Sequence, residues 1–174
     1  MWFCDQCGLE TSGGDPLAGA APTCDEHGPR WRLIRNAPCA AAVIVQDDRV
    51  LLGRRARAPF AGEWEVPGGF VERGEHPSDA AAREVFEELG IEVTLTGLVG
   101  IYVEPSARGE NLQVTVYEAT TTAAVATPDP AEVTEWAWFA RAELPADMAG
   151  SHRTRLDDWL AGRTVPLPAG GGGD

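Results

Sequence analysis

Gly69-Phe-Val-Glu-Arg-Gly-Glu75 and Arg83-Glu-Val-Phe-Glu-Glu-Leu-Gly-Ile91, separated by seven residues, form the stretch from which we predict the fold. Pro77 suits the first position of a helix, and Gly90 suits the position just after its end. The stretch therefore predicts a helix from about residue 77 to residue 89, entered from a glycine-rich loop.

The predicted helix has one apolar side and one acidic side. Four apolar residues at helical spacing form its stripe: Ala82, Val85, Phe86 and Leu89. Three carboxylates crowd the opposite arc, with Arg83 at its border: Glu84, Glu87 and Glu88. Such an arc predicts a wall of oxygen ligands.

Charge repulsion along this wall indicates a bound cation. Glu84 and Glu88 are four residues apart, and like charges at this spacing destabilise a helix by a few tenths of a kcal/mol. Mg²⁺ removes that repulsion, because it prefers oxygen ligands and is typically shared between carboxylates and substrate phosphates. A solvated acidic face is the alternative interpretation, and it is the usual one for glutamate-rich helices.

The full pattern decides between these interpretations. Residues 69–91 read Gly-x5-Glu-x7-Arg-Glu-apolar-x-Glu-Glu-x-Gly-apolar, and this pattern resembles the Nudix box at every specified position. The resemblance implies an α+β fold, an α/β/α sandwich with a mixed sheet. It also implies a hydrolase that cleaves a diphosphate bond with Mg²⁺ or Mn²⁺, and a possible homodimer.

The resemblance also assigns roles to residues of the box. It implies that Glu84, Glu87 and Glu88 bind the metal, and that Glu84 is a candidate base. Gly69, with Gly68, resembles the turn whose backbone carbonyl reaches the metal. Glu75 and Arg83 are the remaining candidates in the catalytic loop and helix, where they support the structure by charge pairing.

Composition limits the partners of the chain. A formal net charge of −13 argues against nucleic acid bound through its phosphate backbone, which requires Lys and Arg. No apolar run approaches the length of a membrane span, and the start of the chain does not resemble a signal peptide. We therefore expect a cytoplasmic protein that acts on a small nucleotide.

The cysteines predict a second, structural metal site. Cys4-x2-Cys7 and Cys24-x2-His27 form two knuckles with the spacing of a zinc ribbon. A disulfide is the alternative, but the cytosol disfavours it. Cys39 lies in an apolar strand over residues 37–45 and is interpreted as a core residue, although it is the substitute ligand if His27 does not bind. We expect a zinc-ribbon-like segment at 1–35, a Nudix domain at 36–165 and a disordered tail at 166–174.

The flanks of the box supply further candidates. Arg54 and Arg55 follow a predicted hairpin strand at residues 50–52 and are candidates for phosphate contacts. Glu132 and Glu135 precede or begin a strand at 133–139, and the resemblance implies an extra metal ligand or the base there. Solvated charges are the alternative for both, and Glu135 is also a candidate substrate contact. Strands are also expected at 91–103 and 112–118, joined by a loop that contains Pro105. A closing helix is expected at 152–160.

Several functions fit these features. An ADP-ribose or related nucleotide-sugar pyrophosphatase is favoured, because Pro105 lies where a proline is similar to that branch of the family. The alternatives are a nucleoside triphosphate pyrophosphohydrolase that cleanses the nucleotide pool, an NADH pyrophosphatase, and a ligand-binding regulator on the same fold. NADH ranks lower because residues 92–174 contain no Ser-Gln-Pro-Trp-Pro-like motif.

Overall fold

The computed structural model describes residues 3–4, 6–14, 21–29, 36–105, 111–123 and 125–167. The chain divides into two compact units, Met1–Arg35 and Asn36–Asp174. Neither helix among the described residues is both long and apolar enough to cross a membrane. Arg30, Arg32 and Arg35, the basic residues nearest the two knuckles, lie outside the described residues.

Two short strands lie among the described residues of the first unit. Strands β1 (Thr23–Cys24) and β2 (Gly28–Pro29) pair as an antiparallel ladder. The first knuckle closes on itself, because the Cys4 amide donates to the Leu9 carbonyl at 2.8 Å and the Gly8 amide donates to the Cys4 carbonyl at 2.9 Å.

The second unit is built on one mixed sheet. Its strands are β3 (Ala37–Gln46), β4 (Arg49–Arg55), β5 (Trp64–Glu65), β6 (Gly68–Phe70), β7 (Thr94–Pro105), β8 (Asn111–Thr120), β9 (Val133–Ala140) and β10 (Val165–Pro166). The spatial order is β10-β7-β8-β3-β4-β5, with β6 paired to β3 and β9 paired to β4. The β3 and β8 strands run parallel, and the other neighbours run antiparallel.

One helix covers each face of this sheet. Alternate residues of β3 point to opposite faces. Ala41 and Val43 join the cluster that contains Leu156 and Trp159 of helix α2 (His152–Leu160). Ala42 and Ile44 join the cluster that contains Val85 and Leu89 of helix α1 (Pro77–Leu89). The predicted α+β class and the sandwich with a mixed sheet are confirmed.

Local chemistry fixes both ends of α1. The His76 ring accepts a hydrogen bond from the Ser78 amide at 3.3 Å, so a histidine fills the position usually held by Ser or Asp. Gly90 has φ +65°, and its amide donates to the Phe86 carbonyl. A Cβ at Gly90 would also collide with Thr127, so glycine is required there for two reasons.

The predicted apolar stripe of α1 is wrong in two of its members. Val85 and Leu89 are buried, whereas Phe86 is 55% exposed and Ala82 is only partly buried. The buried face is instead rotated toward Ala81 and Glu88. The reason is that α1 places Glu88, part of its acidic arc, against β6, where the Gly68 amide donates to it.

Strand boundaries also differ from the expectation. The strand expected at 91–103 is β7, which begins at Thr94 and ends at Pro105, so Pro105 is a strand residue rather than a loop residue. The tail expected to be disordered from residue 166 begins with β10, because Val165 and Pro166 pair with Leu98 and Gly97. Residues 168–174 lie outside the described residues.

Candidate active site

The candidate site lies where α1 meets β6. The Gly68 amide donates to Glu88 Oε2 at 3.1 Å. The Glu84 carboxylate lies directly over Gly69, since a Cβ at Gly69 would collide with it. The Gly68–Gly69 backbone therefore lies next to two carboxylates of the predicted ligand set, Glu84 and Glu88.

Arg83 organises the acidic residues around this place. Its Nε and Nη2 atoms donate to the two oxygens of Glu75 at 2.8 and 2.9 Å. Its Nη1 atom donates to Glu84 at 2.8 Å and to Glu87 at 3.0 Å, and Nη2 also donates to the Phe70 carbonyl. The expected pairing of Glu75 with Arg83 is present, and it ties the loop to the helix.

Burial alters the protonation of two candidate ligands. Burial raises the pKa of Glu88 well above its usual value, and the charge of Glu65 raises it further, although the Gly68 amide opposes the rise. Burial likewise raises the pKa of Glu84, while the hydrogen bond from Arg83 opposes that shift. Two negative charges are therefore held where water solvates them poorly.

The three glutamates share one arc of α1 but differ in exposure. Glu88 is 8% exposed and faces the sheet, whereas the Glu87 side chain is 56% exposed and pairs with Arg83. In the part of the chain that the structure describes, three or more ligand atoms converge within 4.8 Å at the Cys and His residues of the first unit, but not at these glutamates. Arg83 bridges Glu84 and Glu87 instead.

The two candidate arginines point to opposite faces of the sheet. Arg55 pairs with Glu65 at 2.9 Å, and Glu65 is close enough to Glu88 to raise its pKa. Arg54 stacks over Trp64, 4.4 Å from the ring centre, and pairs with Glu135 at 2.9 Å. The structure therefore brings Arg55 toward the box.

The structure does not bring Glu135 to the box. Glu135 is the cross-strand neighbour of Arg54, so both side chains lie on the face that α2 covers. The alternation of side chains along β9 places Glu135 on this face. The sequence alone does not show which face of the sheet Glu135 reaches. Glu132, the other acidic candidate, pairs with Arg57 at 2.8 Å.

The donor set suits a hard divalent cation. Its members are carboxylate oxygens beside the backbone of Gly68 and Gly69, and oxygen donors are what Mg²⁺ and Mn²⁺ prefer. A cation would also relieve the cost of ionised Glu84 and Glu88, whose pKa values burial raises. Glu84, Glu88 and the backbone of Gly68–Gly69 are the residues placed to hold it.

Two residues near the site were missed by the sequence analysis. Glu65 is 5% exposed, and burial raises its pKa although Arg55 opposes the shift. Its signal was a lone carboxylate between two apolar residues just before the Pro-Gly-Gly turn. His152 accepts a hydrogen bond from the Val66 amide at 2.9 Å, and no local pattern distinguishes it from any polar residue that starts a helix.

The Cys and His residues of the first unit bring four ligand atoms within 4.8 Å of one another. Cys4 Sγ and Cys24 Sγ each lie 3.6 Å from His27 Nδ1, and Cys7 Sγ lies 3.8 Å from Cys24 Sγ. Zinc bonds are about 2.3 Å to sulfur and about 2.0 Å to nitrogen. In a tetrahedral site they predict about 3.8 Å between two sulfur atoms and about 3.6 Å between sulfur and nitrogen. Although burial opposes it, hydrogen bonds from the backbone amides of Cys7 and Gln6 lower the pKa of Cys4 to about 6.

Neither alternative for these residues fits as well. A disulfide requires sulfurs about 2.0 Å apart, and all four cysteines are free. Cys39 is 8% exposed and packs in the sheet core with Val114, as expected for a core residue. His27, rather than Cys39, completes the set.

Comparison with known proteins gives a consistent result. The NUDIX domain model matches residues 35–160. A provisionally named 8-oxo-dGTP diphosphatase of Bacillus subtilis (strain 168) is 28% identical over 120 residues, which cover 69% of this chain and 76% of that protein. An ADP-ribose pyrophosphatase of Methanocaldococcus jannaschii is 38% identical over 77 residues, which cover 44% of this chain and 46% of that protein.

A solved structure matches the second unit. The MutT NUDIX hydrolase from Burkholderia pseudomallei is 33% identical, with a TM-score of 0.66, and the match covers 71% of this chain and 98% of that chain.

Proposed function

This chain belongs to the NUDIX domain family and is a Nudix hydrolase of the pyrophosphohydrolase kind. We propose that it cleaves the diphosphate bond of ADP-ribose or of a related nucleotide sugar. The observation that carries the chemistry is the meeting of Glu84 and Glu88 with the Gly68–Gly69 backbone. Mg²⁺ or Mn²⁺ is the proposed cofactor, because this donor set consists of oxygen atoms.

The residues of the site have separable roles in this proposal. A divalent cation held there would neutralise the diphosphate and lower the pKa of a water molecule. Glu84, and Glu88 fixed by the Gly68 amide, would hold the cation, and the more exposed Glu87 would add a ligand from the solvent side. Arg83 and Glu75 hold the loop against the helix, so that these oxygens do not move apart.

Proton removal is assigned to Glu84. Its carboxylate lies directly over the Gly69 backbone, beside the proposed position of the cation, where it could reach a water molecule. Glu132 is the alternative base, and the opposite-face position of Glu135 makes it the weakest of the three. Arg55 supplies guanidinium donors to the phosphate oxygens from the side of Glu65.

Two observations support the choice of substrate. The ADP-ribose pyrophosphatase relative shares 38% identity over a segment of 77 residues. Pro105, which favoured this branch of the family in the sequence, ends the β7 strand. A nucleoside triphosphate, as named for the Bacillus subtilis relative, is the second candidate, because that match covers more of this chain, 69%.

Product analysis separates the two candidates. We expect ADP-ribose with Mg²⁺ to yield a nucleoside monophosphate and a sugar phosphate, with kcat/KM at least about tenfold above that for any nucleoside triphosphate; tenfold corresponds to about 1.4 kcal/mol. Faster release of inorganic pyrophosphate from a triphosphate would favour the second candidate. Inactivity across both classes and NADH would favour the regulator. The Glu84→Gln variant is the control for contaminating activity.

For the first unit we propose a structural zinc ion bound by Cys4, Cys7, Cys24 and His27. The separations of 3.6 and 3.8 Å between ligand atoms support it, because they match a zinc tetrahedron. We expect one zinc per chain by atomic absorption, and none in the Cys24→Ala variant. Zinc that persists in that variant would contradict the assignment.

A further inference from the structure

The first turn of α2 contacts the strand that enters the candidate site. His152 Nδ1 accepts the Val66 amide at 2.9 Å, and Val66 is two residues before Gly68, whose amide holds Glu88. The neighbouring backbone is tied as well, because the Trp64 amide donates to the Asp147 carbonyl and the Ala149 amide donates to the Trp64 carbonyl. The segment before α2 therefore fastens the entry strand.

The imidazole is suited to act as a constant acceptor. Burial lowers the pKa of His152 well below its usual value, and the charges of Arg155 and Arg55 lower it further. A neutral ring that accepts at Nδ1 carries its proton at Nε2. Val66 is 1% exposed, so its amide would lack a partner if the ring were removed.

A buried ion pair holds the imidazole in place. Arg155 is 4% exposed, pairs with Glu104, and has its Nη1 atom 3.3 Å from both ring nitrogens of His152. Ser151 donates to the same Glu104. Arg155 Nε has no hydrogen-bond partner among the described residues. Apolar replacement of a buried ion pair is often neutral or stabilising, so the presence of this network is weak evidence for a role in stability.

We propose that His152 is a positioning residue of the hydrolase: by holding the Val66 amide, it sets the position of Gly68–Gly69 against Glu88 and Glu84. The consequence for metal binding rests on the proposed function, in which these carboxylates bind the cation. Groups that orient metal ligands typically contribute 10- to 100-fold in affinity. His152 acts one step further away, so we expect about a fivefold effect.

Three substitutions at His152 separate acceptor position from packing. Asn places an oxygen near the position of Nδ1, Gln places one near the position of Nε2, and Leu removes the acceptor. Arg153→Ala is the matched control, because Arg153 lies on the same helical turn and makes a surface pair with Asp157. For each variant we would measure Mn²⁺ affinity by electron paramagnetic resonance and amide hydrogen exchange at Val66 and Gly68.

We expect His152→Leu and His152→Gln to weaken Mn²⁺ binding about fivefold and to speed exchange of both amides. His152→Asn should restore both quantities to within about twofold, and Arg153→Ala should change neither. The proposal is overturned if the Asn variant behaves like the Gln variant, or if exchange at Gly68 is unchanged when the acceptor moves. If His152→Leu does not fold, comparing His152→Asn with His152→Gln in Mn²⁺ affinity and amide exchange still tests the proposal.

Failure of the proposed function is recognised separately. A wild-type protein that binds no Mn²⁺ would contradict the metal site. The exchange rates at Val66 and Gly68 would still test whether His152 positions this backbone.

Discussion

Cys4, Cys7, Cys24 and His27 belong to a unit whose strands are two residues long, whereas Glu84 and Glu88 belong to a helix packed on an eight-stranded sheet. The four ligand atoms of the first set lie within 4.8 Å of one another. The second set stays apart, and Val85 and Leu89 anchor its helix by burial worth about 1.5–3 kcal/mol each. We therefore expect zinc to stabilise the fold of the first unit, and we expect the packed fold of the second unit to position the ligands of its divalent cation.

Removing zinc should have the largest effect. Structural zinc contributes about 10–16 kcal/mol of apparent binding free energy in small zinc domains, so we expect Cys24→Ala to unfold the first unit. Amide spectra should collapse for residues 3–29 and stay dispersed for 36–167. Cys39→Ala is the control, because that cysteine lies in the sheet core. Dispersed amide signals from the first unit in the absence of zinc would contradict the proposed difference between the two units.

Removing a carboxylate at the second site should change turnover without unfolding. We expect Glu84→Gln to lower kcat about 100-fold or more, because charge stabilisation by a bound metal is worth several kcal/mol. Glu87→Gln should cost less, about tenfold, because the Glu87 side chain is 56% exposed. Steady-state kinetics measure both variants, with circular dichroism as the folding control. Equal losses in the two variants would contradict the unequal roles.

The metal-free protein should gain stability when Glu88 is replaced by Gln. Because the folded pKa of Glu88 is raised, its ionised form costs stability at high pH, and this cost disappears as pH falls below the unfolded pKa. We expect Glu88→Gln to be more stable than the wild type at pH 8 and equally stable near pH 4. Urea unfolding with EDTA measures this. A destabilised variant would show that Glu88 is held for the fold.

The smallest effect should come from the loop. The hydrogen bond from Arg83 lowers the pKa of Glu75 to about 2, so this carboxylate stabilises the fold above its unfolded pKa and loses the effect as pH falls toward 2. We expect the melting temperature of Glu75→Gln to be below wild type at pH 7, with the gap closing under acid. Glu72→Gln, an exposed neighbour, is the control. A gap that does not depend on pH would argue against the ion pair.

Local chemistry explains what the sequence could predict. Pro77 and Gly90 gave both ends of α1, because their backbone preferences act without tertiary contacts. The orientation of α1 could not be read in this way, since periodicity favours burial of Phe86, whereas the Gly68 amide draws Glu88 inward. The placement of Glu135 opposite Arg54 depends on strand register, which only the assembled sheet fixes.

The parallel pairing of β3 with β8 has a consequence for synthesis. When the ribosome has completed β3 at Gln46, its parallel neighbour does not begin until Asn111, about 65 residues later. At about 5–20 residues per second, several seconds pass in which that edge of β3 is unpaired. Gly68, Glu84 and Glu88 are all translated within this interval, so the nascent chain carries the residues proposed to hold the cation before the parallel neighbour of β3 exists.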